Sequence, residues 1–246
     1  PPGVEQTIDP MNTLMTQQNE SSLQMKVVGL EDGNAKEVYK MLNKDLRQFG
    51  QLNMFVHAEA LQGEESLLKD GDVSVFMRLG SDYTQNYYEY EIPLKLTEPG
   101  KYESGKPDNP NREKVWPTEN NFEIDLKELV KIKEERDDYK SQNSSFQNYQ
   151  LFTKSDGKNK ITLKGNPTLG NVKTILIGVR NKKRSSTNLN DDGQTKSIIV
   201  WLDELRLTDF NDKGGWAADA STQITMADVA TLSLDGKTIK PGFGGV

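Results

Sequence analysis

Two strings constrain this chain most. In DVSVFMRLG (residues 72–80) and YYEYEIPLKL (87–96), apolar side chains recur at every second position: Val73, Val75, Met77 and Leu79, then Tyr88, Tyr90, Ile92, Leu94 and Leu96. A period of two belongs to half-buried β-strands, because successive side chains of a strand point to opposite faces. The short polar link 80–86 (GSDYTQN) joins them and predicts an antiparallel hairpin.

The same alternation recurs along the chain. Leu23, Met25 and Val27 in SSLQMKVVGL predict a half-buried strand, stopped by Glu31-Asp32-Gly33. Leu52, Met54, Val56 and Ala58 alternate with Asn53, Phe55, His57 and Glu59 in a second one. Further strands are predicted at KITLKG, NVKTILIGVRN and KSIIVWLDELRLTDF, separated by Gly, Pro, Asn and Asp. In the last, Ile198, Val200 and Leu202 share one face while Ile199, Trp201, Leu205 and Leu207 share the other, so its first half is an inner strand.

Two segments break the pattern. Lys36 to Gln48 predicts a short helix. Asp125 is an N-cap candidate with Glu128 three residues on, Ile124 can staple onto Leu129, and Leu126, Leu129, Val130 and Lys133 form a narrow stripe. Beyond it, EERDDYKSQNSSFQN is expected to be polar and mobile. Regular short strands interrupted by one helix predict a mainly β fold, an antiparallel jelly-roll-like β-sandwich with one short helix. The expected division is a polar lead-in over residues 1–20, a sandwich over 21–212 and a tail over 213–246. In that tail, WAADASTQITMADVATLSLDGKT alternates small or apolar residues with polar ones, as strands entering an outer-membrane barrel do; a disordered or edge-strand tail is the other reading.

Composition removes several functions. With 246 residues the chain can build a real core, but only 34% of them are hydrophobic, so long polar connections are expected. A formal charge of −6 with interspersed lysines and arginines argues against nucleic acid as a partner. The densest basic run, Arg180, Lys182, Lys183 and Arg184, reads as a solvated hairpin tip. There is no cysteine, which rules out disulfides, thiol nucleophiles and Cys-based zinc sites. No apolar run reaches the length of a transmembrane helix, which leaves barrel strands open. The start at Pro1-Pro2-Gly3 and the close on Gly242-Phe243-Gly244-Gly245 predict a fragment of a longer protein.

Catalytic patterns are scarce. His57 is the sole histidine and reads as a structural residue, and no nucleophile elbow or phosphate-binding loop follows a strand. An Asp/Glu hydrolase would need a defined acid–base pair, and Glu64-Glu65, Asp191-Asp192 and Asp203-Glu204 are too ordinary to supply one. Asp203 stands out inside a strand, where a buried carboxylate needs a partner: an ion pair with Arg206 or Arg78, or else an exposed edge, is the favoured reading, and Ca²⁺ with loop oxygens the other. Tyr88 and Tyr90 fall on the core face, leaving Tyr87 and Trp116 as an exposed aromatic surface for sugars. The strand VWLDELRL is similar to closing strands of carbohydrate-binding modules and motivates one alternative, a carbohydrate-binding sandwich with structural calcium.

Five longer strings point elsewhere. LNMFVHAEA, DGDVSVFMRLGSDYTQNYYEYEIPLKL, VWPTENNFEIDL, KGNPTLGNVKTILIGVRN and VWLDELRLTDFNDKGGWAA, in this order over most of residues 20–220, resemble the SprA family of the Bacteroidota, called Sov in some species. The resemblance implies that the chain is a small part of a very large outer-membrane β-barrel, the type IX secretion translocon, tied to gliding motility. It implies secreted cargo with a C-terminal sorting domain, a PorV-like companion barrel and a plug protein as partners, and it carries over no catalytic residue. Long soluble insertions in such barrels normally lie outside the cell, so a cap on the extracellular face is expected.

Overall fold

The computed structural model describes residues 22–98, 102, 111–186, 188–189, 191–210, 217–226 and 230–239. The predicted lead-in at 1–20 lies outside them. In chain order the elements are β1 (Leu23–Leu30), β2 (Ala35–Lys44), β3 (Phe49–Ala60), β4 (Val73–Gly80), β5 (Tyr87–Pro93), α1 (Asn111–Val115), β6 (Phe122–Asp125), α2 (Leu126–Gln142), β7 (Phe152–Asp156), β8 (Asn159–Lys164), β9 (Val172–Asn181), β10 (Lys196–Phe210), β11 (Ala217–Met226) and β12 (Ala230–Ile239). The chain divides into two compact units, one up to Asp209 and one from Phe210 onward.

In the first unit the sheets run β1-β10-β3-β6 and β2-β9-β4-β5-β8-β7. The chain crosses between them at β1–β2, β2–β3, β3–β4, β5–β6, β6–β7 and β9–β10, and the first sheet with the β2-β9-β4-β5 part of the second has the order of a jelly roll. The β7–β8 hairpin is an insertion that extends the second sheet beyond β5. One buried apolar cluster draws on both sheets: Met25, Val27, Val56, Ile124, Ile198 and Val200 from the first, Val75, Met77, Tyr90, Ile161, Ile177 and Val179 from the second.

The predicted faces follow from this packing. Val75, Met77 and Leu79 pair across the β4–β5 hairpin with Ile92, Tyr90 and Tyr88, and these six and Val73 are buried. On β1 the alternation slips by one residue after Val27, so Val28 is exposed and Leu30 returns to the core. Gly29, at φ 64°, absorbs this bulge in a conformation that side chains disfavour.

Two expectations are corrected. The stretch predicted as a helix from Lys36 to Gln48 is instead strand β2 up to Lys44, since pairing with β9 from Ala35↔Arg180 to Met41↔Thr174 overrides its weak helical preference. The helix α2 is longer than predicted, 17 residues, and buries Leu126, Leu129, Ile132 and Arg136, whereas Val130 is exposed. Asp125 caps it as expected, accepting the Lys127 N–H at 2.8 Å. The polar run continues as helix because Arg136, fully buried, donates to the Gly165 carbonyl and to Asp137 at 2.9 Å.

In the second unit β11 and β12 form an unbroken antiparallel hairpin, paired from Ala217↔Ile239 to Met226↔Ala230. Ala218, Ala220, Thr222, Ile224, Leu234, Gly236 and Thr238 share one face, and Asp219, Ser221, Gln223, Ser233, Asp235 and Lys237 share the other. No helix among the described residues is long and apolar enough to cross a membrane.

Candidate functional site

The residues singled out for binding are not on display. Tyr87 starts β5 on the outer face of the six-stranded sheet, opposite Gly80 and Lys164, and is only 5% exposed. The Arg78 guanidinium lies 4.3 Å from its ring centroid, and burial raises the phenol's pKa. Trp116, 8% exposed, follows α1 and packs 5.7 Å from the His57 ring. The expected exposed aromatic surface is therefore corrected: each ring is covered, one by a guanidinium and one by the strand histidine, and neither offers a free face to a sugar.

His57 is fully buried on β3. Its Nδ1 lies 2.6 Å from the Val115 carbonyl, which makes Nδ1 the donor, and 3.2 Å from Thr97 Oγ1. Nε2 lies 3.7 Å from Glu59 Oε2. Burial holds the imidazole below its ordinary pKa, partly offset by the Val115 carbonyl and by Glu59. A neutral, backbone-anchored ring clamps the segment around α1 to β3, a structural role.

Asp203 is 8% exposed, and burial pushes its carboxyl up. It accepts the Glu204 N–H at 3.0 Å, and Glu204 itself sits at φ 50°. Both arginines considered for it are engaged elsewhere: Arg78 donates to Glu89 at 2.6 Å and Arg206 pairs with Glu204 at 2.8 Å. The expected ion pair and the exposed edge set beside it are thus both corrected. No three acidic or histidine side chains gather to hold a metal among the described residues.

An extended polar arrangement that the sequence did not foretell lies on the outer face of the six-stranded sheet. Arg180 donates to Glu89 through two nitrogens at 3.0 and 3.1 Å and also reaches Glu91; Lys160 lies 2.7 Å from Glu91, and Ser74 Oγ donates to it at 2.6 Å. Beneath them Phe76 is fully buried, with the Arg180 guanidinium 4.1 Å above its ring. The ring also lies over Gly178, where a Cβ would come within 2.5 Å of it. Burial alone would raise Glu91's pKa, but Arg180, Lys160 and Ser74 hold it below the carboxylate norm. The signal was present in SVFMRLG and YYEYEIP, whose non-core positions carry Arg78, Glu89 and Glu91. What linked them was the register, which sets Arg78 opposite Glu89 and brings Arg180 of β9 opposite Ser74. Nothing in this arrangement resembles an acid–base pair facing a substrate: every group is engaged in holding a sheet face together.

The second feature is the edge strand β2. Val38, Tyr39 and Met41 are exposed, and Tyr39 stacks on Tyr83 at 4.9 Å. On the separate hairpin, Ile224 and Leu234 stand exposed on its apolar face.

A comparison with curated proteins finds no match. The SprA_N family model, described as motility related/secretion protein, matches residues 1–246, and the chain belongs to that family.

Proposed function

We propose that the chain is a non-catalytic structural segment of an outer-membrane protein-export channel, the type IX secretion translocon. Membership of a motility- and secretion-related family supports a role in secretion. The observation that carries the finer reading is the β11–β12 hairpin. Its strands are 10 residues each, the length that spans a bilayer as barrel strands, with small and apolar residues on one face and polar ones on the other. A water-soluble hairpin has no need of such a division unless the apolar face is covered, and lipid on one side with a wet lumen on the other supplies both environments.

In this reading the jelly-roll unit is a soluble cap on the extracellular face. Its partners are secreted cargo with a C-terminal sorting domain, a PorV-like barrel and a plug protein. The reading draws support from a soluble core closed by its own side chains and from a surface rich in charge.

These 246 residues contain no cysteine, so with the unsubstituted parent as background a single introduced thiol reports on this unit. Ser155→Cys, at an exposed position on β7, is introduced into the full-length parent and treated with a membrane-impermeant maleimide. Labelling in intact cells is the expected result. Labelling only after the outer membrane is permeabilised overturns the extracellular cap.

A further inference from the structure

We propose that the free edge of β2 takes up an extended acidic segment of a partner protein as an added strand. This goes beyond the export-channel reading and does not rest on it.

β2 ends the six-stranded sheet, and among the described residues only β9 pairs with it. Its other side therefore presents unpaired backbone N–H and C=O groups, the template on which strands add. Its side chains are unusually open for a sheet of this size: Val38 is 41%, Tyr39 59% and Met41 60% exposed. The register places Lys36, Val38 and Lys40 opposite Val179, Ile177 and Ile175 on the core-side face, and Glu37, Tyr39 and Met41 opposite Gly178, Leu176 and Thr174 on the outer face. Neither Lys36 nor Lys40 makes an ion pair among the described residues.

Those two lysines choose the occupant. Lysines on the core-side face of an edge strand deter generic apolar strands. A second copy is deterred as well, since antiparallel β2–β2 pairing centred on Val38 sets Lys36 against Lys40, and like charges at opposed positions repel. A segment carrying Asp or Glu four residues apart, with an aliphatic residue between them, turns the same feature into attraction: its carboxylates meet Lys36 and Lys40 and its aliphatic side chain meets Val38. Apolar residues at its alternate positions then cover Tyr39 and Met41. The register shift between Met41 and Lys44, with Asn43 at φ 51°, ends the regular edge and confines the added strand to the span Ala35–Met41.

The test uses the full chain and two labelled peptides, one built on Glu-Val-Val-Val-Glu, which sets its central Val opposite Val38, and one with Lys in place of each Glu. The proposal expects the acidic peptide to bind in fluorescence anisotropy, with protection of the amides over 35–41 in hydrogen exchange. Lys36→Glu combined with Lys40→Glu, both at exposed positions, weakens it by about tenfold and favours the basic peptide instead, because two attractive cross-strand pairs become repulsive. Failure of the acidic peptide to bind, equal binding of both, or binding without protection over 35–41 overturns the proposal. So does sedimentation that finds a dimer abolished by Met41→Glu, which would seat a second copy on the edge.

Discussion

His57 shows what a single residue contributes. Its Nδ1–H satisfies the Val115 carbonyl at 2.6 Å, while Nε2 has Glu59 at 3.7 Å as its nearest charge. Burial lowers its pKa in the fold below that of the unfolded chain, near 6.5. Between those two values the unfolded chain binds the proton and the fold does not, so stability rises with pH there and is lost as pH falls below the unfolded value. The melting temperature is expected to drop on acidification from pH 7.5 to 5.5, and His57→Gln to flatten that drop; parallel pH profiles in the two proteins would deny His57 this part. Its place in the alternation with Val56 and Ala58 marks it in the sequence as a structural strand histidine. Local sequence misjudges Tyr87 and Trp116, because the covering groups, Arg78 and His57, come from other strands. Exposure is a property of what lies above a residue, which spacing does not encode.

At the scale of elements, strands whose core face is strictly apolar were readable. β4, β5, β8, β9 and the first half of β10 all stand where alternation or apolar runs put them. β2 was misread because an edge strand buries neither face deeply, so its pattern, AKEVYKMLNK, carries no core stripe to mark a period of two. The helix α2 was recognised by its Asp125 cap, yet its length was not, since its last buried position is an arginine rather than an apolar residue. The hairpin carries its own prediction. If its apolar face meets lipid, Leu234→Arg in the full-length parent lowers the amount of folded, membrane-inserted protein, at a cost of about 2–4 kcal/mol near the bilayer centre, while Asp235→Arg on the polar face leaves it near wild type. Heat-modifiable migration on gels measures this, and equal losses from both substitutions would remove the lipid-facing assignment.

For the whole molecule, the decisive fact is that the two sheets of the first unit share one core. Leu163 on β8 and Ile198 on β10, both fully buried and in different sheets, therefore support one transition. Leu163→Ala and Ile198→Ala are each expected to lower the same single urea transition by about 2–5 kcal/mol, with fluorescence and circular dichroism coinciding. Two separable transitions would mean that the sheets fold independently. By itself the sequence determined the mainly β class, most strands, the faces they bury and the family resemblance, because alternation and turn residues act within a few positions along the chain. Only the tertiary structure decided which strands are neighbours, that β2 is an edge, that Arg78, Arg180, Glu89 and Glu91 form one lattice, and that Tyr87, Trp116 and Asp203 are covered. Each of these depends on register between segments far apart in the chain, and a local pattern is blind to the partner it will meet.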